Sequence, residues 1–60
     1  MMDIEFIEPH SKRVWRLVLA HCPRVGDFVS LRTNDVFVVE SVIWHPMQNS
    51  RVEVLVRPLD

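Results

Sequence analysis

The most constraining feature of this sequence is a set of short, valine-rich segments in which apolar and polar residues alternate. In the clearest one, residues 51–57, three valines alternate with Glu53 and Arg57, and Leu55 is the exception. The alternating valines are Val52, Val54 and Val56. A period of two is that of a strand with one buried face. No window of about 11 residues has a convincing helical period, so the sequence predicts an all-β protein.

Turn-forming residues divide the chain into five predicted strands. These cover residues 4–8, 13–20, 28–31, 36–45 and 51–57. Pro9 and Pro58 end the first and the last strand, 33–35 is a polar turn, and 46–50 is a loop. Short strands joined by short turns are typical of an antiparallel meander, which can close into a small barrel without free edges. We therefore expect one domain over residues 1–60, a five-stranded antiparallel small barrel.

The second and fourth predicted strands carry apolar residues on both faces. In the second strand, one face holds Val14, Arg16, Val18 and Ala20, and the other holds Trp15, Leu17 and Leu19. In the fourth strand, one face holds Val36, Val38, Val42 and Trp44, interrupted by Glu40, and the other holds Phe37, Val39 and Ile43. We expect the second strand to be covered on both sides, since both of its faces are largely apolar. It is also the one segment for which a short helix is the alternative.

The chain carries more apolar side chains than a domain of its length can easily bury. It has 60 residues, of which 48% are hydrophobic, and one cysteine, which excludes an intrachain disulfide. Domains of this size often depend on disulfides, metals or oligomerisation. We therefore expect a homo-oligomer, associating through an exposed strand edge or through the second face of residues 14–20.

Residues 21–27, HCPRVGD, raise the question of a metal or a nucleophilic site at His21 and Cys22. The spacings typical of structural zinc ligands do not occur, although His10, His21 and His45 could still cluster in space. Neighbours on an extended segment point to opposite sides, and a chain this small has little room for a catalytic pocket. We interpret the segment as the elbow between two strands, and we predict no catalytic residue, metal or cofactor.

The charge of the chain gives no general case for nucleic acid. The formal net charge is −1, although Lys12, Arg13 and Arg16 form a local basic group. Binding of single-stranded nucleic acid by a basic groove with stacking aromatics remains the alternative function. Its difficulty is that Trp15 is expected to face away from both flanking arginines.

A protein interface is the favoured function for the exposed aromatic residues. Tryptophan, methionine and arginine are enriched at interface cores. The residues predicted to bind a protein partner are Trp15, Arg13, Arg16, Trp44 and Met47. The sequence thus predicts a binding or adaptor module rather than an enzyme.

The segment from Pro23 to Pro58 resembles the small barrels of the Src-homology-3-like type. The likeness lies in PRVGD before an apolar strand, then VFVVESVIW, then VEVLV. It is also similar to small bacterial and prophage proteins of the same layout. The resemblance implies a barrel fold. The expected binding module is then a phage or mobile-element accessory protein, or an inhibitor of a larger host protein that uses the same surface. It implies no binding residue, because the peptide-binding aromatics of the family are absent and the chain has no Tyr.

The location expected from the sequence is the cytoplasm, without a membrane. The segment MMDIEFIEP is acidic and lacks the pattern of a secretory signal. The densest apolar run, 14–20, is far shorter than the roughly 20 residues that cross a bilayer and contains Arg16. The single cysteine fits a reducing compartment.

Overall fold

The computed structural model describes residues 1–47 and 51–59, and these residues form five strands. The strands are β1 (Met2–Glu8), β2 (Arg13–Leu19), β3 (Phe28–Arg32), β4 (Asp35–His45) and β5 (Arg51–Pro58). The all-β class and all five predicted strands are therefore confirmed. Within the predicted loop 46–50, residues 48–50 lie outside the described part of the chain. The described residues include no helix that is long and apolar enough to cross a membrane.

The strands form one curled, mixed sheet, a half-barrel, in the order β2-β1-β5-β4-β3. The pairs β1–β2, β3–β4 and β4–β5 are antiparallel, but β1 and β5 are parallel. The prediction of a purely antiparallel sheet is thus wrong. The sheet is mixed because the chain forms two units, the hairpin β1–β2 and the meander β3–β4–β5. These two units pair side by side through β1 and β5, whose directions are parallel. β2 and β3 are the two edges of the sheet.

The core lies on the concave face of the curled sheet. Its fully buried side chains are Ile4, Phe6, Phe37, Val39, Val52, Val54 and Val56. Strands β1 and β5 supply five of these seven side chains, and in their register Ile4 lies beside Val52 and Phe6 beside Val54. The alternation predicted for residues 51–57 is confirmed. The curl brings Trp15 of β2 within 5.2 Å of Phe37 of β4, measured between ring centroids, although two strands separate β2 from β4 in the sheet.

A β-bulge in β4 changes which side chains face the core. Val39 pairs with Val56 and Val42 pairs with Val54, so the register gains one residue at Glu40. The prediction that Val42 and Trp44 share a face with Val36 and Val38 is therefore wrong. After the bulge, Val42 and Trp44 join the side of Phe37 and Val39. Ile43 points to the outer, convex face, because side chains alternate along a strand.

The two hairpin connections, β1–β2 and β3–β4, each contain a residue in the left-handed backbone conformation. Lys12, with φ of 60°, closes the β1–β2 hairpin, and Asn34, with φ of 67°, closes the β3–β4 hairpin. Asn tolerates this conformation better than most residues, whereas Lys does so less readily. In the first hairpin the Glu8 carboxylate accepts hydrogen bonds from the hydroxyl and the backbone N–H of Ser11.

The segment that contains His21 and Cys22 connects β2 to β3, as predicted. Gly26 has φ of 93°, a left-handed conformation that favours glycine, and its N–H donates to the carbonyl of Val39 over 2.9 Å. The Val39 N–H donates in turn to the carbonyl of Asp27 over 2.9 Å. Cys22 packs against the core as a partly buried residue. The elbow thus joins the outer edge of the meander to the core.

Candidate protein-binding surface

Many apolar side chains stay exposed outside the core. Among the described residues they are Met1, Val14, Leu17, Val18, Val25, Phe28, Val36, Ile43, Trp44, Met47 and Leu59. Six of these eleven residues lie in two places, Val14, Leu17 and Val18 on the edge strand β2, and Ile43, Trp44 and Met47 at the end of β4 and in the turn that follows it. Single exposed apolar residues are ordinary, whereas a group of them marks a contact surface.

The end of β4 carries Trp44, the more exposed of the two tryptophans. Trp44 lies opposite Val52, which is fully buried, yet Trp44 itself is 56% exposed. Met47 follows in the turn and is 94% exposed, and Ile43 is exposed on the outer face. Arg51 is the neighbour of Val52 and pairs with His45 in the β4–β5 register. This end of the sheet combines an aromatic ring, a thioether and a guanidinium.

Trp15 belongs to the core rather than to an open surface. It lies opposite Phe6 in the β1–β2 register and contacts Phe37 with the two rings tilted by 57°. The guanidinium carbon of Arg13 lies 5.4 Å from the centroid of the Trp15 ring. Arg13 also lies 3.6 Å from Glu8. The ring is therefore packed between a core aromatic and an arginine.

The two arginines that flank Trp15 lie on opposite faces of the sheet. Arg13 shares the face of Trp15, so the expectation that Trp15 faces away from both arginines is wrong for Arg13. The reason is that residues two apart along a strand share a face. Arg16 lies on the outer face, 82% exposed, and its Nε lies 3.0 Å from Glu5. Of the five residues predicted to bind a partner, the structure groups Arg13 with Trp15 and Trp44 with Met47.

A charged row crosses the outer face beside Arg16. Glu5 of β1 and Glu53 of β5 are register partners, and His45 and Arg51 lie 2.8 Å and 3.3 Å from Glu53. The hydrogen bond from His45 holds the pKa of Glu53 below its ordinary value, against the opposing effect of burial. This row could not be predicted from the sequence, because only the parallel β1–β5 pairing brings the two glutamates together.

A shallow depression of 380 Å³ lies at the β2 end of the charged row. It is lined by Asp3, Ile4, Glu5, Arg16, Leu17, Val18 and Arg51. Two carboxylates and two guanidiniums line it, so it has no excess of either charge. Such a lining suits a mixed polar and apolar protein surface better than an anionic or cationic ligand.

The His and Cys residues do not assemble into a site. Within residues 1–47 and 51–59, no three His, Cys, Asp or Glu side chains are placed to hold a metal ion. His10 and His21 are exposed, and His45 bonds to Glu53. Burial raises the pKa of the Cys22 thiol, which disfavours the thiolate that a nucleophile requires.

Comparison with known proteins identifies no relative of this chain. No family model matches the chain, and no curated protein or solved structure matches it.

Proposed function

We propose that this chain is a non-enzymatic cytoplasmic module that binds another protein through the end of β4, with Trp44 and Met47 at the centre of the contact. The exposure of Trp44, next to a fully buried Val52, is the observation that carries the proposal. Trp combines a large apolar ring with a polar N–H, and it is among the residue types most enriched at binding hot spots.

The chemistry of this surface suits apolar burial with a polar rim. Met47 offers a flexible thioether that adapts to irregular partner surfaces, and Ile43 extends the apolar area to the outer face. Arg51 lies opposite His45 on the outer face, next along β5 to the register partner of Trp44, and can supply a charged rim on that face, already oriented by Glu53 at 3.3 Å. In this proposal Arg51 takes the rim role that the sequence suggested for Arg13 and Arg16.

Arg13 and Trp15 have a supporting role in the proposal. Their contacts with each other, with Glu8 and with Phe37 tie β2 to the core, so their replacement should act first on stability. A kinship with Src-homology-3-like barrels, and an accessory or inhibitory role on a larger protein, remain part of the proposal. The PRVGD motif and the curled five-stranded sheet support the kinship.

Affinity capture with matched variants tests the proposal. The bait is the full chain, compared with Trp44→Ala and with Phe28→Ala, which removes an even more exposed aromatic side chain from β3. We expect a captured protein that Phe28→Ala retains and Trp44→Ala loses. Calorimetry on the purified pair should then give a negative heat-capacity change and little salt dependence, the signature of apolar burial.

Two results would reject this function. One is a captured protein that both variants retain equally, which would remove Trp44 from the contact. The other is binding to single-stranded oligonucleotides with an affinity that falls steeply with salt concentration, which would favour the nucleic-acid alternative.

A further inference from the structure

The two edges of the sheet differ in how they are protected against pairing with another strand. β3 has five residues and a register irregularity between Ser30 and Arg32, and the Ser30 hydroxyl donates to the Arg32 carbonyl. Short length and bulges are the usual devices that block edge pairing. β2 has neither, because its seven residues keep an unbroken register with β1 and include no Pro. β2 is the edge that is open to another strand.

The side chains of β2 also leave its edge open. Arg13 and Arg16, which could guard the edge with charge, both turn toward β1, where they pair with Glu8 and Glu5. Leu17 is 41% exposed on the concave side, and Val18 is 57% exposed on the outer face. The chain therefore covers neither face of β2 fully, and the expectation of a strand covered on both sides is not met within the described residues.

We propose that β2 pairs with β2 of a second copy of this chain, antiparallel about a two-fold axis at Leu17, to form one continuous ten-stranded sheet. In this register Leu17 lies opposite its own equivalent, Trp15 opposite Leu19, Arg16 opposite Val18, and Val14 opposite Ala20. Every core-side residue then meets a core-side residue, which a shift of one position would prevent. The pairing satisfies the backbone groups of β2 that point away from β1.

Charge selects this register over the one centred on Arg16. An axis at Arg16 would place two guanidiniums directly opposite each other, which destabilises a cross-strand pair. With the axis at Leu17, Arg16 meets Val18 of the second copy, whose β1 neighbour is Asp3. Arg16 keeps its ion pair with Glu5, at 3.0 Å on the β1 side of β2, so in this register neither guanidinium meets a like charge across the new strand pair.

The mass of the protein in solution is the first test. Light scattering over a dilution series, on the Cys22→Ser chain so that no native thiol interferes, should give twice the monomer mass at high concentration. A monomer mass at every concentration would overturn the proposal. This test needs no substitution in β2. Trp44→Ala should leave the mass unchanged, which separates this proposal from the protein-binding function at the end of β4.

Disulfide trapping tests the register. In the Cys22→Ser chain, Leu17→Cys should cross-link to its equivalent under a glutathione redox buffer, because directly opposed residues lie about 4.5–5.5 Å apart between Cα atoms, within disulfide range. Val14→Cys is the matched control on the same strand, since its two copies would lie about 20 Å apart. Equal cross-linking of Leu17→Cys and Val14→Cys, or faster cross-linking of Arg16→Cys, would overturn the proposed register. Far-UV circular dichroism of the reduced variants confirms that each one is folded.

Discussion

Replacing Trp15 by Ala tests whether this tryptophan holds the curled sheet together. The substitution removes the contact with Phe37 at 5.2 Å, which joins β2 to β4 across the concave face, and the stacking of Arg13 at 5.4 Å. It also removes a large apolar side chain that packs against the core cluster. We therefore expect a loss of stability and not only a loss of binding.

The size of the effect follows from these contacts. Replacing a fully buried Phe or Trp by Ala costs about 3–5 kcal/mol. Trp15 is only partly buried, so we expect about 2–3 kcal/mol, including about 1 kcal/mol from the aromatic pair. A domain of this size has a total free energy of unfolding of roughly 3–9 kcal/mol. The melting temperature should fall by about 10–20 °C.

Urea unfolding followed by far-UV circular dichroism measures this change, at one protein concentration for all variants because association shifts the midpoint. Trp15→Phe should recover much of the loss, since it keeps an aromatic ring. Trp44→Ala is the control and should stay within about 0.5 kcal/mol of the parent, because its ring is mostly exposed. Equal destabilisation by Trp15→Ala and Trp44→Ala, or none by either, would refute the distinction between a core and a surface tryptophan.

Three further predictions concern the connections and the charged row. Gly26→Ala should lower the free energy of unfolding by about 1–2 kcal/mol in urea titration, because φ is 93° and the space around it is open, so the cost is one of backbone conformation. The pKa of Glu53 is lowered in the folded protein, so its stabilising effect is present above the ordinary value of 4.5 and is lost as pH falls through the lowered pKa. Glu53→Gln should therefore make the urea midpoint fall less between pH 6 and pH 3, and an unchanged fall would contradict this. Ser11→Ala removes the hydrogen bond that holds the pKa of Glu8 low, so acid unfolding should begin at a higher pH than in the parent.

Local pattern was enough to predict the strands of this sheet. β5 has three valines at a period of two, and all three are buried. The two faces of β2 were also predicted, because its register with β1 runs without irregularity from Arg13 to Leu19. In both strands the side-chain alternation continues unbroken, and alternation is what a sequence displays.

The pairing of distant strands and the position of Trp15 could not be predicted in the same way. The parallel β1–β5 pair depends on how a hairpin docks on a meander, and no short segment records that direction. The bulge at Glu40 reverses the faces of the second half of β4, and it shows in the sequence only as one charged residue in an apolar run. Trp15 and Trp44 look alike in the sequence. They differ in burial because β2 curls over Phe37.

Residue-resolved amide hydrogen exchange at two protein concentrations tests most directly whether the exposed apolar surface of β2 is a site of association. In a monomer, only alternate amides of β2 are bonded to β1, and the others point to solvent. We predict slow exchange at every β2 amide at high concentration, a return to the alternating pattern on dilution, and fast exchange of the outward β3 amides throughout. An alternating pattern in β2 at every concentration would contradict the account.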